Sequence, residues 1–159
     1  MRFDLLSEYT IPYLHPLAVH FPLVLLLLTA AAAALYAALG RPVWRQAALV
    51  LVLLGTAGAK WAEETGETLE HDVEGEPLVE AVLDTHEEMA EWTLRFGLLT
   101  AVAFAGVTLW LRRRPHLDAR TEPLVARLVP LAPALAAAAF VAWTAHLGGI
   151  MVWGIPAGP

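Results

Sequence analysis

The stretch "PLVLLLLTAAAAALYAALG", residues 22–40, runs nineteen residues without a charge, and "LAPALAAAAFVAWTAHLGG", residues 131–149, repeats the pattern near the other end. A helix needs about 20 apolar residues at ~1.5 Å per residue to cross the hydrocarbon of a bilayer. A soluble bundle would have to place charge on the outer faces of such helices, and these have none to place. The whole chain agrees: it is 58% hydrophobic and only 16% charged over 159 residues. The expected fold is therefore an all-α integral membrane bundle of four helices in a single domain, with spans at about 17–39, 46–64, 92–111 and 126–148. Breaks are expected at "GRPVWR" (40–45), "EGEP" (74–77) and "RRRPHLDARTEP" (112–123), where proline or glycine coincides with charge. Apolar residues recur at three- and four-residue spacing through 61–91, so helices two and three should continue beyond the membrane and turn at "EGEP".

Arginine sets the expected orientation. Arg41 and Arg45 fall in the first connection, and Arg112, Arg113, Arg114, Arg120 and Arg127 fall in or beside the third. By the positive-inside rule both connections face the cytoplasm. The termini and the 61–91 hairpin, which carries 12 of the 16 acidic residues and no arginine, then lie outside. The expected arrangement is multi-pass in a cytoplasmic membrane, with any site facing outward.

That topology sorts the six histidines. His15, His20, His71, His86 and His146 fall on the outer side, and His116 alone falls in a cytoplasmic connection, where it is assigned to solvent. Counting about 20 residues from each cytoplasmic boundary puts His20 and His146 near the outer edge of the hydrocarbon. His71, His86 and His15 lie on the order of 10 Å further out. Imidazole near a bilayer is costly unless it faces the bundle and finds a partner. A single interfacial histidine is most often just a hydrogen-bonding residue, but five from four helices at one end suit a metal or a haem iron, which accepts two of them axially. The absence of cysteine excludes iron–sulfur clusters, thiolate zinc sites and covalent c-type haem. Haem b is thus the leading cofactor, one or two per chain. Copper or zinc is the alternative, since His86 with Met89 and His146 with Met151 mix imidazole with thioether. A structural subunit with merely hydrogen-bonded histidines is the third reading.

Depth pairs His20 with His146 and His71 with His86, and His20 with His86 stays open. His15 is the weaker candidate, because it could simply cap the first helix beside Pro16. Small residues one or more turns away, including Ala90, Thr93, Gly97, Ala138, Ala139, Ala142, Ala62, Ala59 and Gly58, allow close helix approach or leave room for a flat macrocycle. Lys60 and Arg95 lie just inside the outer boundary; they could meet haem propionates, pair with Glu63, Glu64 or Glu91, or snorkel outward. Trp61, Trp92 and Trp153 fit an aromatic belt. The acidic hairpin forms a solvated face, could offer ligands to a hard metal, and would steer a basic redox partner. The inner half offers no histidine, so electrons would pass between a quinol in the outer leaflet and an external acceptor, or within a larger redox complex. Self-association into a homo-oligomer is left open. Nucleophilic, phosphate-binding and nucleic-acid chemistry find no support in the sequence.

"LHPLAVHFPLVLLLL" resembles the signature of the DUF2231 family of bacterial membrane proteins. "ETGETLEHDV", "THEEMAEWT" and "HLGGIMVWGIP" are similar to its other recurring stretches, in the same order, so the likeness covers about residues 11–156. The resemblance implies a four-helix membrane domain without an assigned general function. Relatives fused to Rieske or cytochrome c domains imply redox work, with His20 and His86 as the first ligand candidates. This chain departs from that pattern in carrying no fused redox module, and in having Trp153 where tyrosine is more usual.

Overall fold

A computed structural model of the chain describes residues 14–73, 75–114 and 122–154. Within them the chain is entirely helical: α1 (His15–Ala18), α2 (His20–Leu39), α3 (Pro42–Val73), α4 (Pro77–Glu80), α5 (Leu83–Arg112), α6 (Leu124–Leu128) and α7 (Leu131–Trp153). Four helical stretches, the first and last each with a short break, are long and apolar enough to cross a membrane: His15–Leu39, Pro42–Val73, Leu83–Arg112 and Leu124–Trp153. The expected four-span bundle is what forms. At ~1.5 Å per residue, α3 and α5, with 32 and 30 residues, measure roughly 48 and 45 Å against a hydrocarbon core of about 30 Å. Both therefore continue past the apolar layer, as their sequence pattern implies.

Local chemistry sets the breaks. Pro16 occupies the first turn of α1, where its missing N–H costs nothing. Pro22 has no N–H to offer the carbonyl of Ala18, and the helix is interrupted at Val19, between α1 and α2. α2 ends on Gly40 in the left-handed region (φ 64°), whose N–H returns to the Tyr36 carbonyl at 2.8 Å, and Pro42 opens α3. Gly75, with φ 89°, turns the chain between α3 and α4. Pro130 separates α6 from α7, where the sequence suggested one uninterrupted span.

α2 packs against α3 and α7, and α5 packs against the same two. α2 and α5 are therefore diagonal across the bundle, as are α3 and α7. The interior is built from small residues: Ala32, Ala33, Ala48 and Ala134 surround Tyr36 and Phe104, with Leu26, Val52, Ala101 and Val141 forming a second layer. Large side chains such as Leu27, Leu53, Leu98, Val102 and Leu135 point outward and are about half exposed. That is the arrangement a bilayer selects. Hydrocarbon gives leucine no reason to turn inward, and small residues allow the helices to approach closely.

Candidate functional site at the histidine end

His15 opens α1, the prelude to α2, and His86 lies in the first turn of α5. They thus start the two diagonal helices, and their rings meet: the centroids are 6.4 Å apart and the planes cross at 73°. Each ring is held from the side by a different helix. Nδ1 of His15 donates to the Ala62 carbonyl of α3 at 2.9 Å, with the Thr65 hydroxyl at 3.4 Å. Nδ1 of His86 donates to the Thr144 carbonyl of α7 at 3.0 Å. A carbonyl only accepts, so each Nδ1 carries a proton, and Nε2 is the ring nitrogen left to offer a lone pair. This is the outer-sphere arrangement that fixes tautomer and orientation in ligating histidines.

A glycine lies against each ring, and at Gly66 a side chain would crowd it. A Cβ on Gly66 would come within 3.1 Å of the His15 ring, and one on Gly148 within 3.4 Å of His86. Gly66 follows Ala62 by four residues, and Gly148 follows Thr144 by four. The same construction therefore occurs twice: a histidine beginning one helix, bonded to a carbonyl of the next, its ring lying over the glycine one turn on. The first copy joins α1 to α3 and the second joins α5 to α7. All four walls of the bundle contribute.

Both rings are half-buried. His86 stands on the extension of α5 beyond the apolar stretch 92–111, and desolvation holds its imidazole below the ordinary histidine value. The neighbouring His15 pushes the same way and the Thr144 carbonyl opposes both. His86 is accordingly neutral, as a ligand must be, at pH 7.

His20, His146 and His71 are not part of this pair. His20 is exposed, and its Nδ1 donates to the Pro16 carbonyl at 2.6 Å, on its own chain segment. His146 is exposed beside Trp143, ring centroids 5.8 Å apart, and His71 is exposed near the end of α3. Neither the pairing of His20 with His146 nor that of His71 with His86 is among the ring contacts of the described residues; His15 takes the partner's place beside His86. Depth along a helix does not fix direction around it. His15 and His20 lie on either side of the break at Val19, and their rings take different partners. His146 lies two residues from both Thr144 and Gly148, on the opposite side of α7 from the anchoring face.

Lys60 and Arg95 are also turned outward. Lys60 pairs with Glu63 at 3.2 Å and Arg95 with Glu91 at 2.6 Å, each on its own helix, and the Arg95 guanidinium covers the Trp92 ring at 4.9 Å. His116 lies outside the described residues. Among those residues no third histidine, aspartate or glutamate joins His15 and His86 into a three-ligand metal group. Between α3 and α5, below the pair, an open groove of about 400 Å³ is lined by Leu53, Ala57, Leu94 and Leu98, with Lys60 at its edge.

Sequence reasoning missed a cluster at the opposite end. Glu122 accepts from the Arg45 guanidinium at 2.8 Å and from the Tyr36 hydroxyl, and all three residues are buried. Arg127 donates to the backbone carbonyls of Glu122 (3.2 Å) and Ala37 (3.3 Å). The signal was a lone glutamate flanking a basic connection and a tyrosine inside an alanine-rich span. Both residues were legible as types, but not as neighbours.

A family model described as "Predicted membrane protein (DUF2231)" matches residues 11–158. The chain belongs to the DUF2231 family. Searches of curated proteins and of solved structures returned no match. Each of the four stretches that carry the DUF2231 resemblance holds a residue of the paired site: His15 in the first, Gly66 in the second, His86 in the third and Gly148 in the fourth.

Proposed function

We propose that this DUF2231 protein is a membrane-bound b-type cytochrome in which Nε2 of His15 and of His86 would hold the haem iron. The observation that carries the reading is the pair itself: two half-buried imidazoles from diagonal helices, both with Nδ1 tied to a backbone carbonyl and both seated over glycine. The donor set suits a porphyrin better than a bare ion. Zinc takes four ligands, whereas haem iron brings four of its own and asks the protein for two. When bound, the haem would supply one-electron redox chemistry at this end of the bundle. The residues of the chain orient the rings and hold them in the shelter of four helices.

The partners follow from position. A quinol diffusing in the bilayer reaches the groove between α3 and α5 from the lipid side, and an external acceptor meets the acidic extensions of α3 and α5. The membrane is the inner membrane of a bacterium, with the histidine end outward, because arginine gathers at the other end.

The test is an absorption spectrum of detergent-purified protein expressed with haem supplied, dithionite-reduced against oxidised. The expected result is a b-type α band and Soret shift, abolished in His15→Ala and His86→Ala and kept in His20→Ala and His146→Ala. A colourless protein after full haem loading overturns the proposal, and stoichiometric copper or zinc without porphyrin would replace it with the metal-binding alternative.

A further inference from the structure

At the basic end, α6 packs on α2 and α7 and leaves an opening toward α5. The result is an open groove of about 450 Å³, walled by Ala103, Gly106 and Trp110 on one side and Pro123, Val125 and Val129 on the other. It is apolar throughout and faces the hydrocarbon of one leaflet. Gly106 is exposed, and a Cβ there would meet nothing within 4 Å, so the groove is open at its centre. Its mouth is different in kind. Trp110 carries the Arg114 guanidinium over its ring at 4.5 Å, and Arg112, Arg113 and Arg114 are consecutive and exposed. Glu122 is buried against Arg45.

We propose that this groove is a binding site for one anionic diacyl phospholipid, an acyl chain lying between α5 and α6 and the headgroup phosphate on Arg113 and Arg114. The charge complementarity selects the occupant: an apolar trough ending in a row of guanidiniums matches a molecule that is hydrocarbon along its length and anionic at its end. Arginine forks bind phosphate oxygens bidentately, and Trp110 stands at the level where amphipathic rings settle in a bilayer. A basic pocket between transmembrane helices is the usual form of such a site. The proposal does not depend on the haem reading.

Native mass spectrometry of the full chain, given dioleoyl phosphatidylglycerol or dioleoyl phosphatidylcholine in equal amounts, tests it. One phosphatidylglycerol should be retained per chain in preference to phosphatidylcholine. Arg113→Gln and Arg114→Gln should each lower that preference roughly fivefold. Gly106→Leu, which fills the trough without a clash, should remove the bound lipid of either kind while leaving the melting temperature and helical circular dichroism as in the parent. Equal retention of the two lipids overturns the proposal, as does full retention of phosphatidylglycerol in Gly106→Leu. A dimer that Gly106→Leu dissociates would also overturn it, showing that a second copy of the chain covers the groove.

Discussion

Glu122→Ala strikes the one buried charge cluster of the described bundle, and its cost can be worked out from the contacts. The side chains of Arg45 and Glu122 retain only 10% and 4% of their exposure, and the ion pair is 2.8 Å long. Removing the carboxylate strands a guanidinium whose Nε already lacks a partner, and leaves the buried Tyr36 hydroxyl without its acceptor. Breaking a buried pair from one side costs about 3–5 kcal/mol, and an orphaned hydroxyl about 1–3 kcal/mol. The two losses share one environment and do not add fully, so the expected destabilisation is about 3–5 kcal/mol. At about 1.4 kcal/mol per tenfold, the folded-to-unfolded ratio falls roughly a hundred- to several-thousandfold. Equilibrium unfolding in mixed detergent and dodecyl sulfate micelles, followed by tryptophan fluorescence, measures it. The triple replacement Arg45→Met, Glu122→Leu, Tyr36→Phe should recover most of the loss, since a well-packed apolar substitute for a buried pair is about neutral or better. A loss below about 1 kcal/mol for Glu122→Ala alone, the value of a solvated surface pair, would refute the reasoning.

Three further outcomes are expected. Gly97→Ala places a methyl 2.7 Å from the Thr56 hydroxyl, and overpacking of that kind costs about 1–3 kcal/mol; Thr56→Ala in the same chain should restore the unfolding midpoint. Gly66→Val should displace the His15 ring and abolish the haem spectrum while helical circular dichroism persists. The folded value of His86 is depressed by burial, so its contribution to stability is present above the unfolded pKa of about 6.5 and is lost as pH falls through the lower folded value. The unfolding midpoint of the parent should therefore drop between pH 7.5 and pH 5 by more than that of His86→Gln.

Fold and site were legible to different depths. Nineteen uncharged residues at 22–40 leave a helix little choice but a membrane, and "GRP" and "EGEP" announce their turns through backbone chemistry confined to a few residues. The histidine end was legible for a similar reason: depth is additive along a helix, and counting residues measures it. Azimuth is not additive once Pro22 interrupts the helix. His15 therefore read as a cap and His20 as the inward residue, while the structure turns His15 onto Gly66 and His20 back to Pro16. The carbonyls of Ala62 and Thr144 could not be read at all, because every residue has a carbonyl and only tertiary packing decides which ones a side chain reaches. Glu122 was hidden likewise, since its partner Tyr36 lies 86 residues earlier in the chain.

The twice-made anchoring of the histidines divides the chain at the connection between α5 and α7 differently from how it divides it at α4. α1 to α3 hold one imidazole and α5 to α7 hold the other, with α4 between them in the chain. Neither half alone can offer two rings to one iron. The spacing of the two rings is therefore set by how the halves pack on each other, α2 against α7 and α3 against α5.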